Sequence, residues 1–178
     1  MHVSVARDSD LEAVAALVNS AFRGDSSRVG WTTEADMVGG QRTDAEMLRA
    51  DLVSRPGAVL LTMRDEPGGA LLGSVWLEPK NPQVWYVGMF TIRPDLQARQ
   101  LGRTLLKEAE AFAAARGARR MRMAVITVRE ELIAWYERRG YTRTGELLPF
   151  PYADARFGLP LRDDLEFAAL EKELEPAR

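Results

Sequence analysis

The sequence predicts a mixed α/β protein whose mostly antiparallel sheet of about six or seven strands contains one parallel pair. The predicted element order is one strand, two helices, three strands, a helix, a strand, a helix and two final strands. The strand–helix–strand unit at 84–127 brings two strands side by side in parallel, since such a pair needs a crossover connection. The length of 178 residues suits one domain, 1–178.

The first elements follow from periodicity. Alternation at 3–7 predicts a strand, and apolar residues at helical spacing predict a helix over 11–22. The glycine-dotted polar segment 24–41 predicts a loop or a broken helix. A second helix over 45–55 ends at Pro56.

The later elements follow from turn signals and apolar runs. Two β-rich runs around the turn "RDEPGG" predict a hairpin. The remaining predictions are strands at 83–92, 119–127, 141–146 and 165–174, helices at 101–116 and 129–140, and a proline-rich loop at 147–160.

Composition narrows the chemistry. The chain has no cysteine, which excludes thiolate nucleophiles and cysteine-based zinc sites. Its one histidine, His2, argues against a Ser-His-Asp centre. An acid or base must therefore be Glu, Asp, Tyr, Lys or an ordered water, and we expect no metal.

Charge and hydropathy suggest where the protein acts. The net charge is -2, and the basic cluster Arg116, Arg119, Arg120 and Arg122 has no interleaved aromatic residues, so we expect no nucleic-acid partner. No apolar run approaches a membrane span, and the first ten residues lack the apolar core of a signal peptide. We therefore expect a cytoplasmic protein without a membrane partner.

Two segments carry chemistry. "DLQARQLGRTLL", residues 95–106, follows a strand and opens a helix, whose first backbone amides can hold an anion. Arg99 and Arg103 add charge-assisted donors. "LIAWYERRGYTRTGE", residues 132–146, places a tyrosine on a helix before basic residues, a glycine and an aromatic.

With the element order, these segments resemble the GNAT superfamily of acyl-CoA-dependent N-acetyltransferases. The first resembles the acyl-CoA motif Gln/Arg-x-x-Gly-x-Gly/Ala, with Gln97 first and Gly102 last. Gln100 departs from the usual glycine, and we expect it to keep helical geometry with its N–H toward the ligand. "GWTTEADMVGGQRTD" and "GELLPFP" are typical of a bacterial subgroup.

The resemblance implies the GNAT fold, with the parallel pair at the coenzyme A site and helices on both sheet faces. It also implies that main-chain groups hold acetyl-CoA, with the N–H of Phe90 facing the thioester carbonyl. The implied cofactor-binding residues are Phe90, Thr91, Ile92, Gln97, Ala98, Arg99, Gln100, Leu101, Gly102, Arg103 and Thr104.

The resemblance implies that Tyr136 protonates or holds the coenzyme A thiolate, whereas Trp135 points elsewhere and Tyr141 packs. In the family that the sequence resembles, the loop that holds Glu34 borders the acceptor pocket, and Glu78 lies at the end of a strand near the same cleft. Glu34 and Glu78 are therefore candidates to bind the amine or relay its proton, and each could instead be a solvated carboxylate. Trp31, Trp76 and Phe150 are candidates to shape the acceptor pocket, with burial in the core as the alternative.

We therefore expect an N-acetyltransferase that transfers the acetyl group of acetyl-CoA directly to a primary amine in a ternary complex. The alternatives are a non-catalytic acyl-CoA-binding sensor or interaction domain and, less well supported without a Gly-Lys-Ser/Thr or GxGxxG motif, a nucleotide-binding domain. The acceptor stays open among small amines, amino acids, antibiotics and protein N-termini, and the protein is expected to be a monomer or a homodimer.

Overall fold

A seven-stranded mixed sheet, in the order β1-β3-β4-β5-β6-β9-β7, dominates the computed structural model, which describes residues 1–176. Its strands are β1 (His2–Val5), β3 (Val59–Arg64), β4 (Leu71–Pro79), β5 (Val84–Ile92), β6 (Arg120–Ile126), β7 (Thr142–Pro149) and β9 (Glu166–Glu173). The helices are α1 (Leu11–Phe22), α2 (Ala45–Ser54), α3 (Leu101–Ala114) and α4 (Glu130–Glu137). Within the described residues, no helix has the length and apolarity needed to cross a membrane.

The helices cover both faces of the sheet. Successive residues of a strand point to opposite faces. Leu60 packs with α1 and α2, whereas its neighbour Leu61 packs in the cluster that contains α3 and α4. The predicted fold class is confirmed. Trp76 belongs to the cluster with α1 and α2, and its position is that of a core residue.

The parallel pair β5–β6 separates soon after it begins. Pairing joins Val84–Tyr86 to Arg120–Arg122 and does not extend to the later residues of either strand. Because the strands diverge, main-chain groups of β5 and β6 beyond this point face a gap instead of each other. The gap opens toward the start of α3.

Two segments predicted as loops contain strand pairing. Val38–Gly39 (β2) and Leu159–Pro160 (β8) form a small antiparallel sheet. Two-residue strands carry no periodicity, so the sequence gives no signal for them. Strand β7 also continues to Pro149, past the predicted end, because β9 pairs with it there. A proline is tolerated at this position since β7 is an edge strand.

Candidate active site

A cavity of about 450 Å³ lies in the gap between β5 and β6. Main-chain and side-chain groups of Gly88, Met89 and Phe90 line one wall, and Met123 to Ile126 of β6 line another. The loop before α2, the start of α3 and helix α4 complete the enclosure. The sheet therefore opens a chamber at the place where strand pairing stops.

A bulge in β5 shapes the first wall. Ser74 pairs with Thr91 and Trp76 pairs with Gly88, so two residues of β5, Met89 and Phe90, oppose the single residue between. Met89 has φ 42°, and its carbonyl accepts a hydrogen bond from the Thr91 hydroxyl at 2.9 Å. A non-glycine residue in this region costs about 1–3 kcal/mol, and such strain gathers at functional sites.

The start of α3 offers free backbone amides. Among the described residues, the amides of Gln100, Leu101, Gly102 and Arg103 donate to no backbone carbonyl, as expected for a first helical turn. The Arg99 amide differs, since it donates to the Leu96 carbonyl at 3.1 Å. The free amides form a concave, positively polarised surface that suits an anion.

Gln100 does not keep the expected helical geometry. Its φ of 61° and ψ of 6° place it in the left-handed region, immediately before α3. The turn into the helix requires this conformation, which glycine adopts without strain and glutamine does not. Gln100 therefore adopts a conformation that favours glycine, which is the residue the motif usually has at this position.

The Gln97 side chain binds the protein itself. Its Oε1 accepts from the amides of Trp31 and Thr32, at 2.9 and 3.3 Å, and its Nε2 donates to Thr32 Oγ1 and to the Ile92 carbonyl. A Cβ atom on Gly30 would lie 2.5 Å from Gln97 Oε1, so a larger residue at position 30 would displace the Gln97 side chain from this position. Gln97 thus fastens the loop before α2 to the start of α3.

The predicted cofactor residues divide into two groups. Phe90, Ile92, Gln97, Gln100, Gly102 and Arg103 line the cavity. Thr91, Ala98, Arg99, Leu101 and Thr104 are not among the residues that line it. Leu101 and Thr91 are buried in the core, so any contribution they make to binding comes from their main chain.

Tyr136 lines the cavity and packs beside Phe90 of the bulge. Its ring packs edge-on against Phe90 and Trp135, with centroids 6.3 and 5.0 Å away. Its hydroxyl makes no hydrogen bond to any group in residues 1–176. Burial raises the pKa of Tyr136 above its usual value, so the phenol stays protonated at neutral pH.

The prediction that Trp135 points elsewhere is wrong. Trp135 lines the same cavity, with the Arg139 guanidinium 3.5 Å above its ring. A Cβ atom on Gly102 would lie 3.3 Å from the Trp135 ring, so the small residue in the motif also makes room for this tryptophan. Leu132, Trp135, Tyr136 and Arg139 all line the cavity, and this spacing places Trp135 and Tyr136 side by side on one face of α4.

Glu34 is held by two arginines. Its carboxylate accepts from Arg23 at 2.6 Å and from Arg129 at 2.7 Å, and all three side chains are nearly buried. Burial alone raises the pKa of Glu34, but Arg129 and Arg23 outweigh it and hold the pKa below its usual range. A carboxylate in this state is a weak base.

Glu78 lies outside the cavity. It is not among the lining residues, which corrects the expectation that it borders the cleft. Its carboxylate accepts from Lys80 at 2.6 Å, Arg55 at 3.1 Å and the Trp76 indole at 3.2 Å. Of the three predicted pocket aromatics, Trp31 and Phe150 line the cavity and Trp76 does not.

Among the cavity residues that sequence reasoning missed are three arginines, Arg23, Arg42 and Arg129. They come from the end of α1, the loop before α2 and the turn before α4, and no spacing in the sequence links them. Within residues 1–176, no group of three or more His, Cys, Asp or Glu side chains is placed to hold a metal ion.

Comparison with known proteins identifies the class. Residues 13–141, more than half of the chain, match the model of the acetyltransferase (GNAT) family, so the chain belongs to this family of enzymes. No curated protein sequence matches the chain.

Solved structures share the fold. The chain is similar to a proposed phosphinothricin N-acetyltransferase (20% identity, TM-score 0.72, 98% of each chain covered). It is also similar to the ribosomal-protein-alanine N-acetyltransferase of Brucella melitensis (20% identity, TM-score 0.71, covering 98% of this chain and 100% of the other). A third similar structure is that of YncA of Salmonella typhimurium, a proposed acetyltransferase solved with acetyl-CoA (18% identity, TM-score 0.69, covering 100% of this chain and 96% of the other).

Proposed function

We propose that the protein transfers the acetyl group of acetyl-CoA directly to a primary amine while both substrates are bound. The observation that carries the proposal is the bulged, diverging β5 beside a helix start with free amides, in one cavity that Tyr136 also lines. Acetyl-CoA bound to the similar YncA structure supports this choice of cosubstrate.

In this proposal the main chain binds the cosubstrate. The diphosphate accepts hydrogen bonds from the free amides of Gln100 to Arg103, and the amide-rich arm lies against β5 in the gap that β6 leaves. The Phe90 N–H stabilises the negative oxygen of the tetrahedral intermediate. None of these contacts depends on a particular side chain.

The amine nitrogen attacks the thioester carbonyl, a C–N bond forms and the C–S bond breaks. The amine loses its surplus proton to water, because the Glu34 carboxylate forms ion pairs with Arg23 and Arg129 and Glu78 lies outside the cavity. The roles predicted for Glu34 and Glu78 stay predictions. The ion pairs that both carboxylates make argue against a role as general base. No cysteine is present to carry the acyl group.

Tyr136 assists the departing thiolate. Because a thiol has a pKa of about 8.5 and the pKa of Tyr136 is raised above about 10, complete transfer of the phenol proton is uphill. The phenol therefore stabilises the sulfur by a hydrogen bond as charge develops, and water supplies the proton of the product thiol.

The test is the Tyr136→Phe variant, assayed by thiol release over a library of amines. We expect kcat to fall about 100-fold while acetyl-CoA affinity, measured by calorimetry, stays within about threefold. The matched control is Tyr141→Phe, which removes a buried hydroxyl bonded to Glu110 and leaves the cavity intact. Unchanged turnover in Tyr136→Phe contradicts the assigned role, and acetyl-CoA binding without turnover of any amine supports the non-catalytic alternative.

A further inference from the structure

The part of the cavity lined by Arg23, Glu34, Arg42 and Arg129, which we take as the acceptor side, carries more positive than negative charge. Arg23, Arg42 and Arg129 line it there, and Glu34 is the only acidic residue that lines the cavity within the described chain. Three guanidinium groups against one carboxylate leave two uncompensated positive charges. An amine that brings further positive charge is disfavoured in such a chamber.

Of the three arginines, Arg42 alone lacks a partner within residues 1–176. Arg23 and Arg129 bond to Glu34 and to the carbonyls of Phe157 and Thr32. The Arg42 guanidinium makes no hydrogen bond or ion pair in this part of the chain. Burial lowers its pKa, with the charge of Glu34 opposing the shift.

The backbone of Arg42 is held in place. Asn19 of α1 accepts a hydrogen bond from the Arg42 amide at 2.6 Å and donates to the Thr43 carbonyl at 2.8 Å. Arg42 is half-buried and lines the cavity. An arginine that is fixed at its base and has no partner is ready to bind an oxyanion through its planar donors.

We propose that the acceptor is a zwitterionic amine, such as an α-amino acid, whose carboxylate pairs with Arg42 while its amine faces the thioester. This inference rests on the proposed acetyl transfer and narrows its acceptor class. The aromatic side chains of Phe22, Phe150 and Phe157 line the same cavity, so the acceptor's own side chain is apolar. A phosphonate shares the required oxyanion chemistry.

The first experiment compares matched acceptors with the wild-type protein at saturating acetyl-CoA. Leucine, methionine and phenylalanine are each tested against their own amides, which keep the amine and lose the carboxylate, and the phosphonate analogue of phenylalanine forms a third arm. We expect kcat/KM for each acid to exceed that of its amide at least about tenfold. Equal or faster turnover of the amides would overturn this inference and leave the proposed function standing.

The second experiment uses Arg42→Gln. It is expected to lower kcat/KM for the acids about 10- to 100-fold and to change that of the amides less than about twofold, with Arg42→Lys recovering part of the loss. The control Arg49→Gln removes an exposed arginine that pairs with Asp8, and it should behave like the wild type. Equal losses for acids and amides would show a merely structural role, and absence of turnover with every amine would overturn the proposed function as well.

Discussion

The two halves of the site differ in the groups that they present to a ligand. The proposed cosubstrate wall, residues 88–92 and 97–103, presents main-chain groups at a bulge and a helix start. The proposed acceptor chamber, formed by Arg23, Glu34, Arg42 and Arg129, presents side chains from separate segments. A main-chain surface depends on the path of the backbone and tolerates many side chains, whereas a side-chain chamber changes with each substitution.

The largest expected effect tests whether the chamber depends on its one carboxylate. Glu34→Gln leaves two buried guanidinium groups facing a neutral amide, so the free energy of unfolding should fall by about 3 kcal/mol at pH 7. Urea denaturation measures it. Glu146→Gln, which breaks an exposed pair with Arg122, should cost less than about 1 kcal/mol. Similar losses in both variants would remove the distinction.

The wild-type protein and the Glu34→Gln variant also allow a test of pH dependence. Because the folded-state pKa of Glu34 is lowered, its carboxylate stabilises the fold fully above its unfolded-state pKa of about 4.3, and this contribution is lost as pH falls through the folded-state value. The stability gap between wild type and Glu34→Gln should therefore be constant from pH 8 to about pH 6 and shrink below about pH 4. A gap that does not change with pH would contradict the ion-pair assignment.

A smaller effect tests the connection between the halves. Gln97→Ala removes the three hydrogen bonds that fasten Trp31 and Thr32 to the start of α3, together with a fourth to the Ile92 carbonyl, at a cost of about 1–2 kcal/mol. Since the loop leads to Glu34, KM for the acceptor should rise more than KM for acetyl-CoA. Steady-state kinetics measure both, with the exposed Gln83→Ala as control. A selective loss of acetyl-CoA affinity would make Gln97 a direct cofactor contact instead.

The smallest expected effect tests whether the cosubstrate wall tolerates a change of side chain. Gln100→Gly relieves the left-handed strain of about 1–2 kcal/mol and loses part of that gain to the flexibility of the unfolded chain. Thermal unfolding should show a net gain of about 1 kcal/mol or less, with acetyl-CoA affinity within about twofold. Gln100→Ala keeps the strain, so it should show no gain. A large loss of affinity in both variants would mean that the glutamine side chain itself binds the cofactor.

The same contrast explains what the sequence predicts and what it leaves out. The strand at 83–92, the helix beginning at Leu101 and the helix that carries Tyr136 were predicted because local periodicity and turn residues specify them, whereas the role of Tyr136 is implied by the family resemblance and stays a prediction. The orientation of Trp135 was predicted wrongly, since the sequence does not show which face of α4, here the one with Leu132, Trp135 and Tyr136, lines the cavity. The prediction that Glu78 lies near the cleft was wrong for a related reason, because strand alternation does not reveal which face of the sheet a distant cavity occupies.

The acceptor chamber shows the limit most clearly. Glu34 was singled out, but its two arginine partners lie 11 and 95 positions away in the chain. Only the tertiary fold brings them within hydrogen-bonding distance. The left-handed conformation of Gln100 was missed because the residue type argues against it, while the turn into α3 imposes it.

The small β2–β8 sheet has a practical consequence for redesign. It joins residue 38 to residue 160, so the two segments that flank the acceptor chamber share main-chain hydrogen bonds across most of the chain's length. A chimera that imports one of these segments from a relative would leave the other without its pairing partner. Exchange of acceptor preference between family members should therefore succeed only when both segments are transplanted together.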